Sequence, residues 1–172
     1  MSEVTVSNEE LGQNEDQLAA FVGKKYSSYY EKKWAKIDGK NNQTSWNFAA
    51  FFLHLFWLGY RKMYGYVLLI IGIFLVFDLV TFLVADPENV ALLMRLNNSI
   101  GLGMGVALGL FGNYMYRHHA RKQIEKISSV EPNREQQEEL LHKKGGRSWL
   151  GVFYTFLIVI GYAIVSTLVF GI

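Results

Sequence analysis

Three long stretches of this sequence carry almost no charge, and nothing else in it constrains the fold as strongly. Tyr66 to Val84 holds a single charge, Asp78, in 19 residues. Ser99 to Tyr116 holds none in 18 residues, and Trp149 to Phe170 holds none in 22. Helices of these lengths would measure ~27–33 Å, which matches a hydrocarbon core about 30 Å thick. Within lipid a backbone must satisfy its own hydrogen bonds, so each stretch reads as a transmembrane helix. A buried helix of a soluble bundle would keep a polar face, and these stretches have none. The expected fold class is therefore all-α: an integral membrane protein with three transmembrane helices and cytoplasmic-side interfacial amphipathic helices.

A fourth apolar stretch, Trp46 to Leu58, has only 13 residues, too few to span comfortably. Asn47, His54 and Arg61 are spaced seven apart, which predicts one polar helical face beside Phe48, Phe51, Phe52, Phe56 and Trp57. Such a helix suits the membrane interface or a shallow dip into it. Basic residues decide between three spans and four. With three, residues 1–65 hold eight Lys and Arg and residues 117–148 hold eight more, while the loop 85–98 holds only Arg95 and the C-terminus none. That is 16 against 1, and it places the N-terminus in the cytoplasm and the C-terminus outside. Counting 46–60 as a span changes the split to 7 against 10, which gives no clear orientation.

The remaining segments follow from charge and periodicity. Glu3, Glu9, Glu10, Glu15 and Asp16 make residues 1–17 an acidic tail, expected to be disordered and unlike a secretory signal. Residues 18–64 read as cytoplasmic interfacial helices and residues 65–172 as the membrane domain (spans 66–84, 99–116 and 149–170), with a cytoplasmic helical connector at 117–148. Leu18, Phe21, Val22, Tyr26, Tyr29, Tyr30, Trp34 and Ile37 recur at helical spacing over 18–37, with Lys24, Lys25, Lys32, Lys33 and Lys36 among them. Rings on one side and lysines on the other suit an anionic membrane surface; packing on the protein itself or on a partner would also satisfy the pattern. The second span is expected to continue as a helix into the connector. Glu131-Pro132-Asn133 stops it, a polar helix follows from Arg134 to Leu141, and Gly145-Gly146 precedes the last span. A net charge of +2 gives no reason to expect nucleic acid, and the absence of cysteine excludes disulfides and thiolate metal sites.

Ser45-Trp46-Asn47-Phe48-Ala49-Ala50-Phe51-Phe52, followed by Trp57-Leu58-Gly59-Tyr60-Arg61-Lys62-Met63-Tyr64, is the most distinctive part of the chain. With Tyr29-Tyr30-Glu31-Lys32-Lys33-Trp34 ahead of it, it resembles an uncharacterised family of small bacterial inner-membrane proteins, known as a domain of unknown function. The resemblance spans roughly residues 20–130 and implies a bacterial cytoplasmic membrane. The family pattern tends to have Gly-Pro, and hence a kink, where this chain has His54-Leu55. Some members carry a cysteine-rich zinc ribbon ahead of this region, and this chain lacks it. Read physically, Trp46, Asn47, His54, Trp57, Tyr60, Arg61, Lys62 and Tyr64, with Tyr29, Tyr30, Lys33 and Trp34, make a lipid or partner interface at the cytoplasmic entrance of the first span, where such residues either anchor and orient the helix or hold a ligand or lipid headgroup.

Asp78 is the one ionisable group in the windows, and on insertion scales an ionised carboxylate there costs about 2.5–3.5 kcal/mol. It should face protein, and at its depth Gly103, Gly105, Tyr162 and Ser166 are the expected neighbours. A structural hydrogen bond between helices and an ion or proton pathway are the two readings. Gly101, Gly105 and Gly109 form a ridge for close helix packing, internal or between copies. His54, His118, His119 and His142 lack metal-ligand spacing, and no nucleophile elbow or paired carboxylate is present. No metal, cofactor or enzymatic activity is expected. The expected function is that of an interaction or accessory protein contacting the bilayer, anionic headgroups, a second copy or another membrane protein. The alternative is a subunit of an oligomeric small-solute or ion transporter or channel that uses Asp78.

Overall fold

The computed structural model describes residues 8–39, 44–84 and 90–170. Among them the chain forms eight α-helices and one π-helical turn: α1 Asn8–Val22, the π turn Tyr26–Tyr30, α2 Glu31–Gly39, α3 Phe48–Leu53, α4 Leu55–Tyr60, α5 Tyr64–Val84, α6 Val90–Val130, α7 Arg134–Lys144 and α8 Trp149–Phe170. They divide into two compact units. The first holds the described residues up to Ser45 together with Asn113–Arg147; the second holds Trp46–Gly112 and Ser148 onward. Helix α6 contributes residues to both.

The first unit is a small helical bundle with an aromatic core. Leu18, Phe21, Val22, Tyr30, Trp34 and Ile37 are all buried, against Tyr116, Ala120, Ile124 and Ile127 of α6 and Leu141 of α7. The helical spacing over 18–37 is thus satisfied by packing on the protein itself. Burying a side chain such as Phe21 contributes about 1.5–3 kcal/mol. The single amphipathic helix expected there is instead two helices. Gly23, at φ +72°, ends α1, and the π turn re-aims the chain into α2. The expected disordered tail is corrected as well: residues 8–17 lie in α1, and residues 1–7 fall outside the described part. Gln17 ties α1 to α6 and α7 through Ser128 Oγ (3.2 Å) and Gln137 Oε1 (3.4 Å). Asn133 caps α7 by accepting from the amides of Glu135 and Gln136.

The second unit has the reverse surface. Helices α5 and α8 are long and apolar enough to cross a membrane, yet only 22% and 11% of their apolar windows are buried. Leu68, Leu69, Val76, Leu83, Leu150, Ile164 and Leu168 all stand exposed. The two helices run parallel: Phe74 meets Tyr162, Asp78 meets Tyr162 and Ser166, and Phe82 meets Phe170, so both sequences advance in the same direction. Two described helices, not three, pass this test of length and apolarity. The window Ser99–Tyr116 lies inside α6, but five glycines, Asn113 and two tyrosines dilute its apolar character.

Helices α3 and α4 replace the single polar-faced helix expected over 46–60. They break at His54, whose φ of +47° and ψ of −120° suit glycine far better than a residue with a Cβ. The chain therefore breaks its helix at this point although neither Gly nor Pro supplies the break. Because the helix is interrupted, the spacing of Asn47, His54 and Arg61 no longer defines one face. Asn47 instead caps α3, accepting from the Ala50 amide at 3.0 Å, and Arg61 follows the last turn of α4.

Candidate functional site

Among the described residues no three His, Cys, Asp or Glu side chains gather as a metal site would require. The residues singled out in the sequence fall into three constellations instead.

The first is the aromatic cluster of the charged unit. Tyr30 and Trp34 stack around Tyr116 at centroid distances of 5.0 and 5.9 Å, with Phe21 at 6.4 Å. Trp34 Nε1 donates to the Asn113 carbonyl at 3.0 Å, and Asn113 Nδ2 donates to the Ser45 carbonyl at 3.0 Å. Tyr30 and Trp34 are thus core residues, and an interfacial role for their rings is corrected: burial in their own bundle leaves no ring face for lipid. Tyr29 stays partly exposed, with the Lys33 ammonium 5.7 Å from its ring centroid. Lys24, Lys25, Lys32 and Lys36 remain exposed. Tyr26 lies near charges of both signs. Burial, then Glu15 and Glu31, raise its hydroxyl pKa above the ordinary phenol value, while Arg117 and Arg121 pull it back in part. Between α1 and α7 runs an open groove of about 1170 Å³, whose lining includes Asp16, Lys24, Arg134 and Glu138.

The second constellation is the signature segment of the apolar unit. Trp46 packs on Phe48 and Phe51, and the Asn47 amide donates to the Gly109 carbonyl at 2.7 Å. A Cβ on Gly105 would lie 2.5 Å from His54 Nε2, and one on Gly112 would lie 2.9 Å from the Ala50 Cβ and 3.5 Å from the Trp57 ring. A Cβ on Gly109 would meet the Phe51 Cβ and the Trp46 ring. The ridge therefore seats α3 and α4 through Gly105, Gly109 and Gly112. Gly101 and Gly103 face open space, so Gly101 drops out of that seam and Gly112 takes a place in it.

Leu58 to Met63 form a Schellman turn. The Met63 amide donates to the Leu58 carbonyl and the Lys62 amide to the Gly59 carbonyl, both at 2.9 Å. Lys62 takes the left-handed position at φ +58°, and Leu58 and Met63 are both buried beside the turn. This part of the signature is folding information: it turns the chain from α4 into α5. Arg61 is buried with its guanidinium 5.7 Å from the Tyr60 ring centroid. Tyr60 packs on Trp149 at 5.5 Å, and its carbonyl accepts from the Ser148 amide. Gly59, part of the signature, and Gly151, outside it, bring the backbones of α4 and α8 together. A Cβ on Gly59 would lie 2.6 Å from the Gly151 carbonyl oxygen, and one on Gly151 would lie 2.2 Å from the Gly59 carbonyl oxygen and 2.7 Å from the Tyr64 hydroxyl.

The third is Asp78, buried on α5. Tyr162 and Ser166 of α8 donate to its Oδ2 at 2.7 and 2.8 Å. Of the four neighbours expected from depth these two make contact, whereas Gly105 faces His54 and Gly103 open space. The arrangement is a hydrogen-bonded clamp between parallel helices.

No curated protein and no solved structure matches this chain. Residues 10–122 match the family described as a protein of unknown function (DUF2628). The match takes in the aromatic cluster, the whole signature, α5 and the glycine seam, and it stops short of α7 and α8. Since it covers well over half of the sequence, the chain belongs to the DUF2628 family.

Proposed function

We propose that this protein is an integral component of the bacterial cytoplasmic membrane that crosses it three times. Its charged helical unit then serves at the cytoplasmic face as a binding platform for lipid headgroups or another membrane protein. The observation that carries the reading is the unburied apolar surface of α5 and α8. A soluble protein would bury such helices, and a bilayer covers them instead.

Parallel α5 and α8 support the third crossing. Two parallel crossings need a return between them, and α6, at 41 residues and about 60 Å, has the length for it. With that return the basic residues divide 16 to 1, an orientation with the charged unit inside. With α5 and α8 alone they divide 8 to 9, which orients nothing. The absence of paired catalytic groups from the sequence favours a binding protein over an enzyme.

Because the chain has no cysteine, single-cysteine variants report cleanly. Lys24→Cys and Lys126→Cys should react with an impermeant maleimide from the cytoplasmic side and Phe170→Cys from the other. Opposite sides for Lys24 and Lys126 would remove the third crossing. Lysine crosslinking in native membrane tests the platform: a second protein or aminolipid joined to Lys32, Lys122 or Lys143 is expected, and crosslinks confined to the chain itself would count against it. The transporter reading makes a separate prediction: flux into reconstituted vesicles that Asp78→Asn abolishes. The two hydroxyls already on Asp78 favour the structural role.

A further inference from the structure

We propose that α3 and α4 form a re-entrant hairpin, which enters one leaflet, turns at His54 and returns to the same surface, with Phe48, Phe52 and Leu53 against the acyl chains of that leaflet. The inference rests on the membrane reading above and adds a lipid-contact surface to it.

The argument is one of depth along α6. Ala50 on the way in and Trp57 on the way out both meet Gly112, Phe51 meets Gly109, and His54 meets Gly105. From Gly112 to Gly105 is seven residues of α6, about 10 Å. The segment therefore travels about 10 Å along this helix and comes back, roughly a third of a hydrocarbon core about 30 Å thick. Its exit is fixed at the mouth of α8, where Tyr60 meets Ser148 and Trp149 and Gly59 meets Gly151. From that mouth α5 and α8 both run onward in the same direction, and α6 in the three-crossing reading comes back toward it. The Gly105 level is then the deeper one.

A surface-lying helix would need a polar outer face. Here the outward residues are Phe48, Phe52 and Leu53, 67%, 71% and 51% exposed, continuous in character with the exposed faces of α5 and α8. Irregular backbone is tolerated at membrane depth only where protein covers it. The break meets that condition: the His54 amide donates to the Ala50 carbonyl, its carbonyl accepts from Trp57, and Gly105 leaves room for the imidazole.

The test uses the full chain in vesicles of phosphatidylcholine and phosphatidylglycerol, with single cysteines at Ser45, Leu53, Lys62 and Ile164. Ser45→Cys and Lys62→Cys should react with an impermeant maleimide from the same side. Leu53→Cys should resist it from both sides, and a fluorophore attached there should be quenched by lipids brominated in the acyl chain. Ser45 and Lys62 reacting from opposite sides would mean a full crossing, and a reactive Leu53→Cys would mean a segment lying in water. Either result overturns the hairpin. Reaction at Ile164→Cys, on the exposed face of α8, would instead overturn the membrane reading and the hairpin with it. Leu53 and Ile164 are both exposed, so neither substitution removes core packing. Phe52→Cys, also exposed, repeats the Leu53 measurement at a second position.

Discussion

Around Tyr116 the rings of Phe21, Tyr30 and Trp34 go in and the lysines stay out; around α8 the order is turned over. There Asp78, Thr155 and Ser166 are buried, while Phe153, Phe156, Ile164 and Leu168 stand on the surface. In the membrane reading proposed above, each unit follows the same rule in a different solvent. The first hides apolar area from water. The second would hide polar groups from hydrocarbon, and there close packing and hydrogen bonds would do what the hydrophobic effect does in the first. Close approach at glycine is common to both: the Gly59–Gly151 contact and the Gly105–Gly109–Gly112 seam lie in the apolar unit, and Gly145 meets the Phe21 carbonyl in the charged one.

The contrast can be broken most severely at Trp34. Trp34→Ala removes a buried ring and its bond to Asn113, and should cost about 3–5 kcal/mol. The readout is thermal melting of the charged unit in detergent. Phe153→Ala, on an exposed ring of α8, should leave that melting unchanged, and equal losses from the two would erase the distinction. Next comes the α4–α8 contact. Gly59→Ala and Gly151→Ala force a methyl onto backbone carbonyls and should each cost about 1–3 kcal/mol. The readout is thermal aggregation of the full chain in detergent, in which Gly72→Ala and Gly161→Ala, where a Cβ meets open space, should not destabilise.

The polar clamp is weaker. Tyr162→Phe deletes one donor to Asp78 and should cost roughly 0.6 kcal/mol and at most about 1.7 kcal/mol, the average and the maximum for hydrogen bonds between helices in a membrane. A double-mutant cycle with Asp78→Ala should return a coupling of that size, and zero coupling would show that the contact carries no stability. In the Schellman turn, Lys62→Gly should stabilise by about 0.5–1 kcal/mol, because glycine takes the left-handed position without strain. A lower unfolding midpoint would instead assign the lysine side chain a role.

The smallest effect is a pH dependence of the charged unit. His119 lies edge-on to Phe21 at 6.0 Å; burial, then His118 and Lys122, hold its pKa below the ordinary histidine value. The unfolded chain then binds this proton more readily than the folded one. The contribution of His119 is intact above the ordinary pKa near 6.5 and is lost as pH falls below that value toward the folded one. Melting of the unit between pH 7.5 and 5 should show the decline, and His119→Phe should flatten it.

Much of the architecture was legible in the residues. Uncharged windows around Asp78 and across 149–170 mark α5 and α8, the two described helices long and apolar enough to cross a membrane. The stop at Glu131-Pro132-Asn133 and the glycines at 145–146 bracket α7 for equally local reasons. The signature segment was recognisable as a pattern, but its meaning was not. Helical spacing places a ring on a face without saying what covers that face, so it leaves Tyr30 and Trp34 open to an interfacial role, and only the contacts with Tyr116 and Asn113 put them in the core.

Local chemistry thus determined that α5, α7 and α8 are helical and which segments suit hydrocarbon. Only the tertiary structure decided that the helix breaks at His54, a residue with no intrinsic preference for that backbone. It also decided that Gly112, not Gly101, completes the seam, that Gly59 meets Gly151 across 92 residues, and that Asp78 finds its two donors on α8. Each of these depends on which helix arrives opposite. A single sequence read along its length carries spacing within a helix, and it carries no record of the backbone that another helix brings against it.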